Sequence, residues 1–311
     1  MSYKVLMSRE LPLPPLNVNG VSIETRVMGA GCEGFEDAQV YLTTALDKAD
    51  EQLIESLPDS VGLIANIGVG TDNIDIDAAR ARGILVSNTP VVTEDTADLA
   101  FALILSACRR ITANEKFARS GDWSSARPLA MMGQSVHGKT LGILGFGAIG
   151  QAVARRAIGF GMKAIYHGPS HKPDAEKEIP ATYVSDLKSF LSTCDILTLH
   201  CPLTPQTRHI LNAKRLTYLK PRTVVVNTGR GELIDEAALV AALQSGHIAA
   251  AGLDVFEGEP TIHPGLLAMS NVTLTPHIGS ATQECRSQMA MRAIGNIMNF
   301  LEHEKPIDVA N

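Results

Sequence analysis

The chain has 311 residues, 45% hydrophobic and 19% charged, and 27 Lys and Arg against 33 Asp and Glu leave a formal net charge of -6. That length suffices for two modest domains, each able to bury a core of its own. No basic block gives the footprint of a nucleic-acid binder or of a protein held on an anionic membrane, so a small molecule is the expected partner.

Met1 to Arg9 carry no signal-peptide h-region. Tyr3 to Met7 reads as a first strand, and the prolines at 12, 14 and 15 forbid a helix directly after it. Gln39 to Ala45 is another strand, Asp47 to Leu57 a helix stopped by Pro58, and Val61 to Ala65 a buried-type apolar strand. A loop, Asn66-Ile67-Gly68-Val69-Gly70-Thr71-Asp72, precedes a helix ending at Gly83 and a strand over Ile84 to Val86. Thr93-Glu94-Asp95 opens a long helix with a cap and with acids where the helix dipole favours them. It is predicted to run to Arg119, stop at Gly121 and act as a strut between two domains. Its run from Leu99 to Cys108 is too short to span a bilayer.

After Trp123 and a Pro-containing loop comes Thr140-Leu141-Gly142-Ile143-Leu144-Gly145-Phe146-Gly147-Ala148-Ile149-Gly150, read as strand, tight turn and helix. Gly145 suits the turn, Gly147 a close approach to a pyrophosphate, and Gly150 tight helix–sheet packing. The next helix, with Val153, Ala157 and Phe160 on one face, points its dipole at the phosphates. Further strands fall at Met162 to Tyr166, Asp195 to Leu199, Arg222 to Val226, Ile248 to Asp254 and Asn271 to Leu274, with one helix capped by Ser185 and another by Asp235. A helix from Thr282 to about His303 closes the chain, and Met289, Ile294, Ile297, Met298 and Leu301 form its core stripe.

The expected fold is α/β in two domains: a Rossmann-type doubly wound parallel sheet over 98–281, and a smaller flavodoxin-like α/β domain from 1–97 and 282–311. Crossings near Ala97 and Ala281 are the hinge candidates. Cys32, Cys108, Cys194, Cys201 and Cys285 are odd in number and lack CxxC spacing, which argues against disulfides and a zinc site, predicts no metal, and suits a cytoplasmic setting.

Three polar stretches follow apolar strands at one predicted sheet edge. In Val226-Asn227-Thr228-Gly229-Arg230-Gly231-Glu232, Arg230 suits a bidentate grip on a carboxylate, with flanking glycines leaving room for a ligand. Gly252 to Pro260 delivers Glu259, and Thr273 to Ser280 delivers His277 behind Pro276. A carboxylate and an imidazole at one edge form an acid–base unit in which Glu259 favours the protonated ring.

GFGAIG at 145–150, NTGRGELID from Asn227, LDVFEGEP from Leu253 and TPHIGSAT from Thr275, in this order and spacing, resemble the D-isomer-specific 2-hydroxyacid dehydrogenase family. NIGVGTDNID from Asn66 and TEDTADLAFALIL from Thr93 extend the resemblance over nearly the whole chain, and the likeness within the family is to glyoxylate and hydroxypyruvate reductases. The resemblance implies reduction of a small 2-oxo acid to the D-2-hydroxy acid, with Arg230 on the carboxylate and keto oxygen, His277 as proton donor, and Glu259 paired to it. It assigns the carboxylate-catching amides to Val69 and Gly70, the nicotinamide carboxamide to Asp254, and the adenosine side to Cys201, Pro202 and Thr207. Thr96, Phe146, Ala148, Ile149, Thr228 and Gly279 complete the expected cofactor contacts, and a homodimer is implied. A glutamine in place of Glu259 would mark the formate dehydrogenase branch. Some relatives act as nucleotide-sensing corepressors, which is the alternative reading.

An NAD site places Asp or Glu about 20 residues after the first glycine. From Gly145 no acid occurs until Asp174, and the second strand runs instead into His167, Ser170, His171 and Lys172, with nothing to repel a 2′-phosphate. NADP is therefore expected over NAD.

Overall fold

The computed structural model describes residues 2–11, 16–28, 34–124 and 131–311; the prolines at 12, 14 and 15, Cys32 and the proline of the loop after Trp123 lie outside the described residues. The chain divides into two compact units, Met1–Val92 with Ser280–Asn311, and Thr93–Gly279. Thr93 to Ala97, assigned to the first unit by the sequence reading, go with the second because they are the opening turn of a helix that is continuous from Thr93.

The first unit holds β1 (Tyr3–Met7), β2 (Leu16–Val18), β3 (Val21–Val27), β4 (Val40–Thr44), β5 (Leu63–Ile67) and β6 (Leu85–Ser87), ordered β2-β3-β1-β4-β5-β6. All neighbours are parallel except β2 and β3. Without the β2 edge this is the 2-1-3-4-5 order of flavodoxin-like sheets. Alternation sorts the side chains: Leu6, Tyr41, Ile64 and Val86 join one core, while Val5, Met7, Val40, Leu42, Leu63 and Ala65 join another with Ala293 and Ile297 of the C-terminal helix. Both faces of the central strands are covered, so β4 and β5 open on apolar runs, whereas β3 is mostly exposed. α1 (Glu51–Ser56) begins later than the predicted Asp47. Asp47 instead accepts from Ser8 Oγ and Thr44 Oγ1, and Asp50 caps the helix through the Leu53 amide. α2 (Ile76–Ala81) follows the 66–72 loop.

The second unit holds α3 (Thr93–Arg109), α4 (Ile111–Ser120), β7 (Thr140–Leu144), α5 (Ala148–Gly159), β8 (Lys163–His167), α6 (Pro173–Glu178), β9 (Ala181–Tyr183), α7 (Leu187–Thr193), β10 (Ile196–Leu199), α8 (Ala213–Leu216), β11 (Thr223–Asn227), α9 (Glu236–Gln244), β12 (Ile248–Leu253), α10 (Pro264–Leu267) and β13 (Val272–Leu274). Its sheet runs β13-β12-β11-β10-β7-β8-β9, parallel throughout, which is the Rossmann 3-2-1-4-5-6 order with one strand added. Val224 and Val226 face the core shared with α3 and α5, and Val225 faces the one shared with α9.

Three predictions need correction. The long helix ends at Arg109, because Arg110 takes a left-handed φ of 53° and Gln134 N donates to the Cys108 carbonyl at 2.7 Å. The cap before α7 is Asp186, which accepts from Ser189 N, and not Ser185. Phe160 lies past the end of α5, 38% exposed, while Val153 and Ala157 are buried as expected.

A Cβ built on Gly150 would lie 2.2 Å from the Gly145 carbonyl oxygen, an atom of the backbone. Gly150→Ala is therefore expected to lower the unfolding free energy by about 1–3 kcal/mol, as overpacking does. Denaturant unfolding checks this; an unchanged midpoint would show that α5 is not seated on the turn.

Candidate active site

Because every pairing in the second sheet is parallel, the carboxyl ends of its strands share one edge, and open α/β sheets bind ligands there. At the end of β7, Gly145 has φ +96° and its amide donates 2.9 Å to His167 O. A Cβ on Gly145 would fall 2.4 Å from Cys201 N, so the turn is pressed against the end of β10. Gly147 differs: among the described residues, nothing beyond its own helix and chain neighbours lies within 4 Å of its Cβ position. The first bond of α5 runs from Gln151 N to Gly147 O, and the amides before it, of Ala148 and Ile149 among others, are those a helix leaves without an intrahelical partner. Donors at a helix N-terminus beside open space fit a pyrophosphate. Phe146 packs inward, its ring stacked 3.9 Å from that of Tyr166.

At the end of β11, buried Asn227 donates through Nδ2 to Arg230 O at 2.8 Å and accepts Gly229 N at 3.0 Å. This side chain folds the loop and sets out the half-buried Arg230, whose Nη1 also donates to Gly229 O. The glycines beside Arg230 do not leave room for a ligand, as the sequence suggests. A Cβ on Gly229 would meet Leu233 Cδ1 at 3.1 Å, and one on Gly231 would fall 1.9 Å from the carbonyl carbon of Phe256. Gly231 exists so that two backbones can touch.

Those backbones carry the acid–base pair. Glu259 accepts from Phe256 N through Oε1 at 2.9 Å, and its Oε2 lies 2.7 Å from His277 Nδ1. Partial burial pushes the Glu259 carboxyl up, but the His277 bond, the Phe256 amide and the charge of Arg230 outweigh it and hold the carboxyl below its usual range. With Nδ1 on Glu259, Nε2 is the ring nitrogen able to serve a substrate. His277 sits at φ +53°, a conformation that costs a non-glycine residue and is retained where the surroundings enforce it. Asp254 does the enforcing. Its carbonyl accepts His277 N at 2.8 Å, while its carboxylate, 1% exposed, accepts Thr275 Oγ1, Ile278 N and Gly279 N. Burial raises the Asp254 carboxyl above its usual value, and these donors only partly offset that.

The second unit thus brings Arg230, Glu259 and His277 together, with Asp254 beneath the turn. Asn227 and Thr275, for which the sequence alone indicates no role, are positioning residues. Thr96 and Gly279 are neighbours: the Thr96 side chain lies 3.5 Å from the Cβ position of Gly279. Thr228 Oγ1 is buried with no hydrogen-bond partner among the described residues. Cys201 and Pro202 follow β10, and Thr207 Oγ1 donates to Pro202 O at 2.7 Å, closing that loop on itself. Val69 and Gly70 follow β5 in the first unit, where Asn88 and Asn66 side chains hold their carbonyls.

The loop after β8 corrects one expectation. His167, Ser170, His171 and Lys172 do gather there, but Glu176 of α6 folds back among them. Its Oε2 is 2.9 Å from His171 Nε2, and its Oε1 accepts from Tyr166 OH and Tyr183 N. These bonds, the His171 one foremost, hold Glu176 below its usual range and therefore ionised. The loop does carry a carboxylate, one already matched to His171.

The model for the D-isomer specific 2-hydroxyacid dehydrogenase, NAD binding domain, matches residues 101–279. A glyoxylate reductase of Thermococcus litoralis is 47% identical over 100% of this chain and 97% of its own. The crystal structure of a glyoxylate reductase from Paecilomyes thermophila superposes with a TM-score of 0.88 at 36% identity, covering 99% of this chain and 98% of that one. An NADPH-dependent glyoxylate/hydroxypyruvate reductase from Sinorhizobium meliloti, solved with NADP and malonate, gives 0.88 at 33% identity, covering 100% and 97%.

Since folded Glu259 holds its proton less tightly than the usual 4.5, its contribution to stability is complete above that value and is lost as pH falls through the lower folded value. Urea unfolding of the protein and of Glu259→Gln should differ most near neutrality, with the gap closing below pH 4.5. A gap that widens on acidification would mean the carboxyl is held neutral.

Proposed function

The chain belongs to the D-isomer specific 2-hydroxyacid dehydrogenase family, and from that premise we propose that it reduces glyoxylate, hydroxypyruvate or a similar small 2-oxo acid to the D-2-hydroxy acid with NADPH. It is an NAD(P)-dependent dehydrogenase, and the observation that carries the finer reading is the 2.7 Å contact of Glu259 with His277 within the field of Arg230. When bound, the nicotinamide supplies a hydride to C2 of the oxo acid. Negative charge then grows on the keto oxygen. Arg230 meets that charge with a delocalised cation, and His277 Nε2 delivers the proton that turns the oxygen into a hydroxyl. Glu259, anchored by the Phe256 amide, steadies the ring through Nδ1 and balances its charge.

We assign the cofactor's phosphates to the 145–150 turn, its nicotinamide side to Thr96, Thr228, Asp254 and Gly279, and its adenosine side to Cys201, Pro202 and Thr207. The family resemblance assigns the carboxylate to the amides of Val69 and Gly70 as well as to Arg230, and implies a homodimer. NADP is favoured because Ser170 and Lys172 follow β8 and Glu176, a carboxylate bonded into that loop, is already paired with His171. The nucleotide in the Sinorhizobium meliloti relative is also NADP.

His277→Asn keeps a residue type that tolerates the left-handed backbone but removes the proton donor, and should lower kcat by about 100- to 10,000-fold. Arg230→Lys should raise KM for the oxo acid by about tenfold or more, because an ammonium cannot hold a carboxylate in a fork. Near-normal kcat in the first, or an unchanged KM in the second, would displace the roles given. With glyoxylate or hydroxypyruvate as substrate, oxidation followed at about 340 nm should give a higher kcat/KM for NADPH than for NADH, and equal values would remove the NADP assignment.

A further inference from the structure

A cluster outside the reacting groups ties their loops to one another. Arg208 Nη2 and His209 Nε2 both reach Glu257 Oε1, at 2.9 and 2.8 Å, from the loop that follows β10. Glu257 lies two residues before Glu259, and its own amide donates 2.9 Å to the buried carboxylate of Glu236 at the start of α9. The backbone of His209 belongs to the other loop of the site: its amide donates 2.7 Å to Glu232 O, two residues past Arg230. Leu211 N donates to Leu233 O and Asp235 N returns to Leu211 O, so 209–211 runs as a short parallel ladder beside 232–235. His209 therefore grips the Arg230 loop with its main chain and the Glu259 loop with its ring. Like His277, it does so at a left-handed backbone, φ 48°, the kind of strain that persists where the surroundings fix the residue.

We propose that the His209–Glu257 contact is a positioning clasp that sets the spacing of Arg230, Glu259 and His277, acting on the proton-delivery step without touching substrate or cofactor. This rests on the reading of those three residues as the transfer site. The Gly231 backbone already meets that of Phe256 and Glu257, and the Glu257 amide reaches the Glu236 carboxylate, so both contacts fix the main chain of the Glu259 loop. The clasp adds a hold on the Glu257 side chain from the segment that is also laddered to the Arg230 loop, and Glu259 can then keep one oxygen on the Phe256 amide and the other on His277. Misplacement of about 1 Å at a site of this kind is enough to cost up to about 100-fold in rate.

The test is a double-mutant cycle of His209→Ala and Glu257→Ala, with thermal unfolding of each variant, read as kcat and as KM for NADPH. Each single variant should lower kcat about tenfold with KM for NADPH held within about twofold, and the double variant should be no worse than the singles. His209→Gln, whose amide can still donate to Glu257, should restore most of the loss and guards against a variant that merely fails to fold. In a His277→Asn background the His209→Ala change should cost nothing further. Wild-type kcat in His209→Ala, a loss confined to KM for NADPH, or an undiminished loss in the His277→Asn background would each overturn the clasp. A normal kcat for His277→Asn alone would instead overturn the transfer site itself.

Discussion

A contact between two backbones, too close to admit one methyl group, holds the candidate site together. At Gly231 the chain leaving β11 passes so near Phe256 that a Cβ would fall 1.9 Å from its carbonyl carbon. The cation of Arg230 and the carboxylate of Glu259 belong to the two loops so joined, and Glu259 in turn reaches His277 on a third. Parallel pairing brings three strand ends to one edge of the sheet, but pairing alone leaves their side chains strand widths apart, about 4.8 Å per step. The missing Cβ lets the loops close that distance.

The electrostatics of the edge divide it into two kinds of carboxylate. Glu259, partly exposed and bonded to an imidazole near a guanidinium, is held ionised. Asp254, almost wholly buried and fed by a hydroxyl and two amides, is pushed the other way. One contacts the imidazole; the other shapes the turn on which the ring sits. At the β8 loop Glu176, also held ionised, organises Tyr166, Tyr183 and His171.

Much of this was legible in the residues because the signals are local. Apolar runs ending in glycine or a polar turn place strands whatever surrounds them, and Asp235 caps its helix as read. The turn at 145–150 combines three glycines with three separate duties, and their spacing between an apolar strand and a helical pattern announces them. What the sequence hides is what tertiary contact decides. Glu176 lies 31 positions beyond Gly145, too far along the chain for the ribose position, and joins the loop through the fold-back of α6. Arg110 has good helical propensity, yet the Cys108 carbonyl at the end of α3 is claimed by Gln134 N. The β2–β3 hairpin carried two local signals that the prediction missed, Asn19-Gly20 with positive φ at both turn positions and the alternation of Val21, Ile23, Thr25 and Val27 with polar residues, although β3 is exposed beyond Ile23.

The account stands on Arg230 and His277 addressing the same oxygen of the substrate. A crystal structure with NADP and oxamate, an unreactive likeness of a 2-oxo acid, measures that directly. The expected result is one oxamate oxygen within hydrogen-bond distance, about 3 Å, of both the Arg230 guanidinium and His277 Nε2. Oxamate bound with its oxygens turned away from His277, or held at another edge of the sheet, would contradict it.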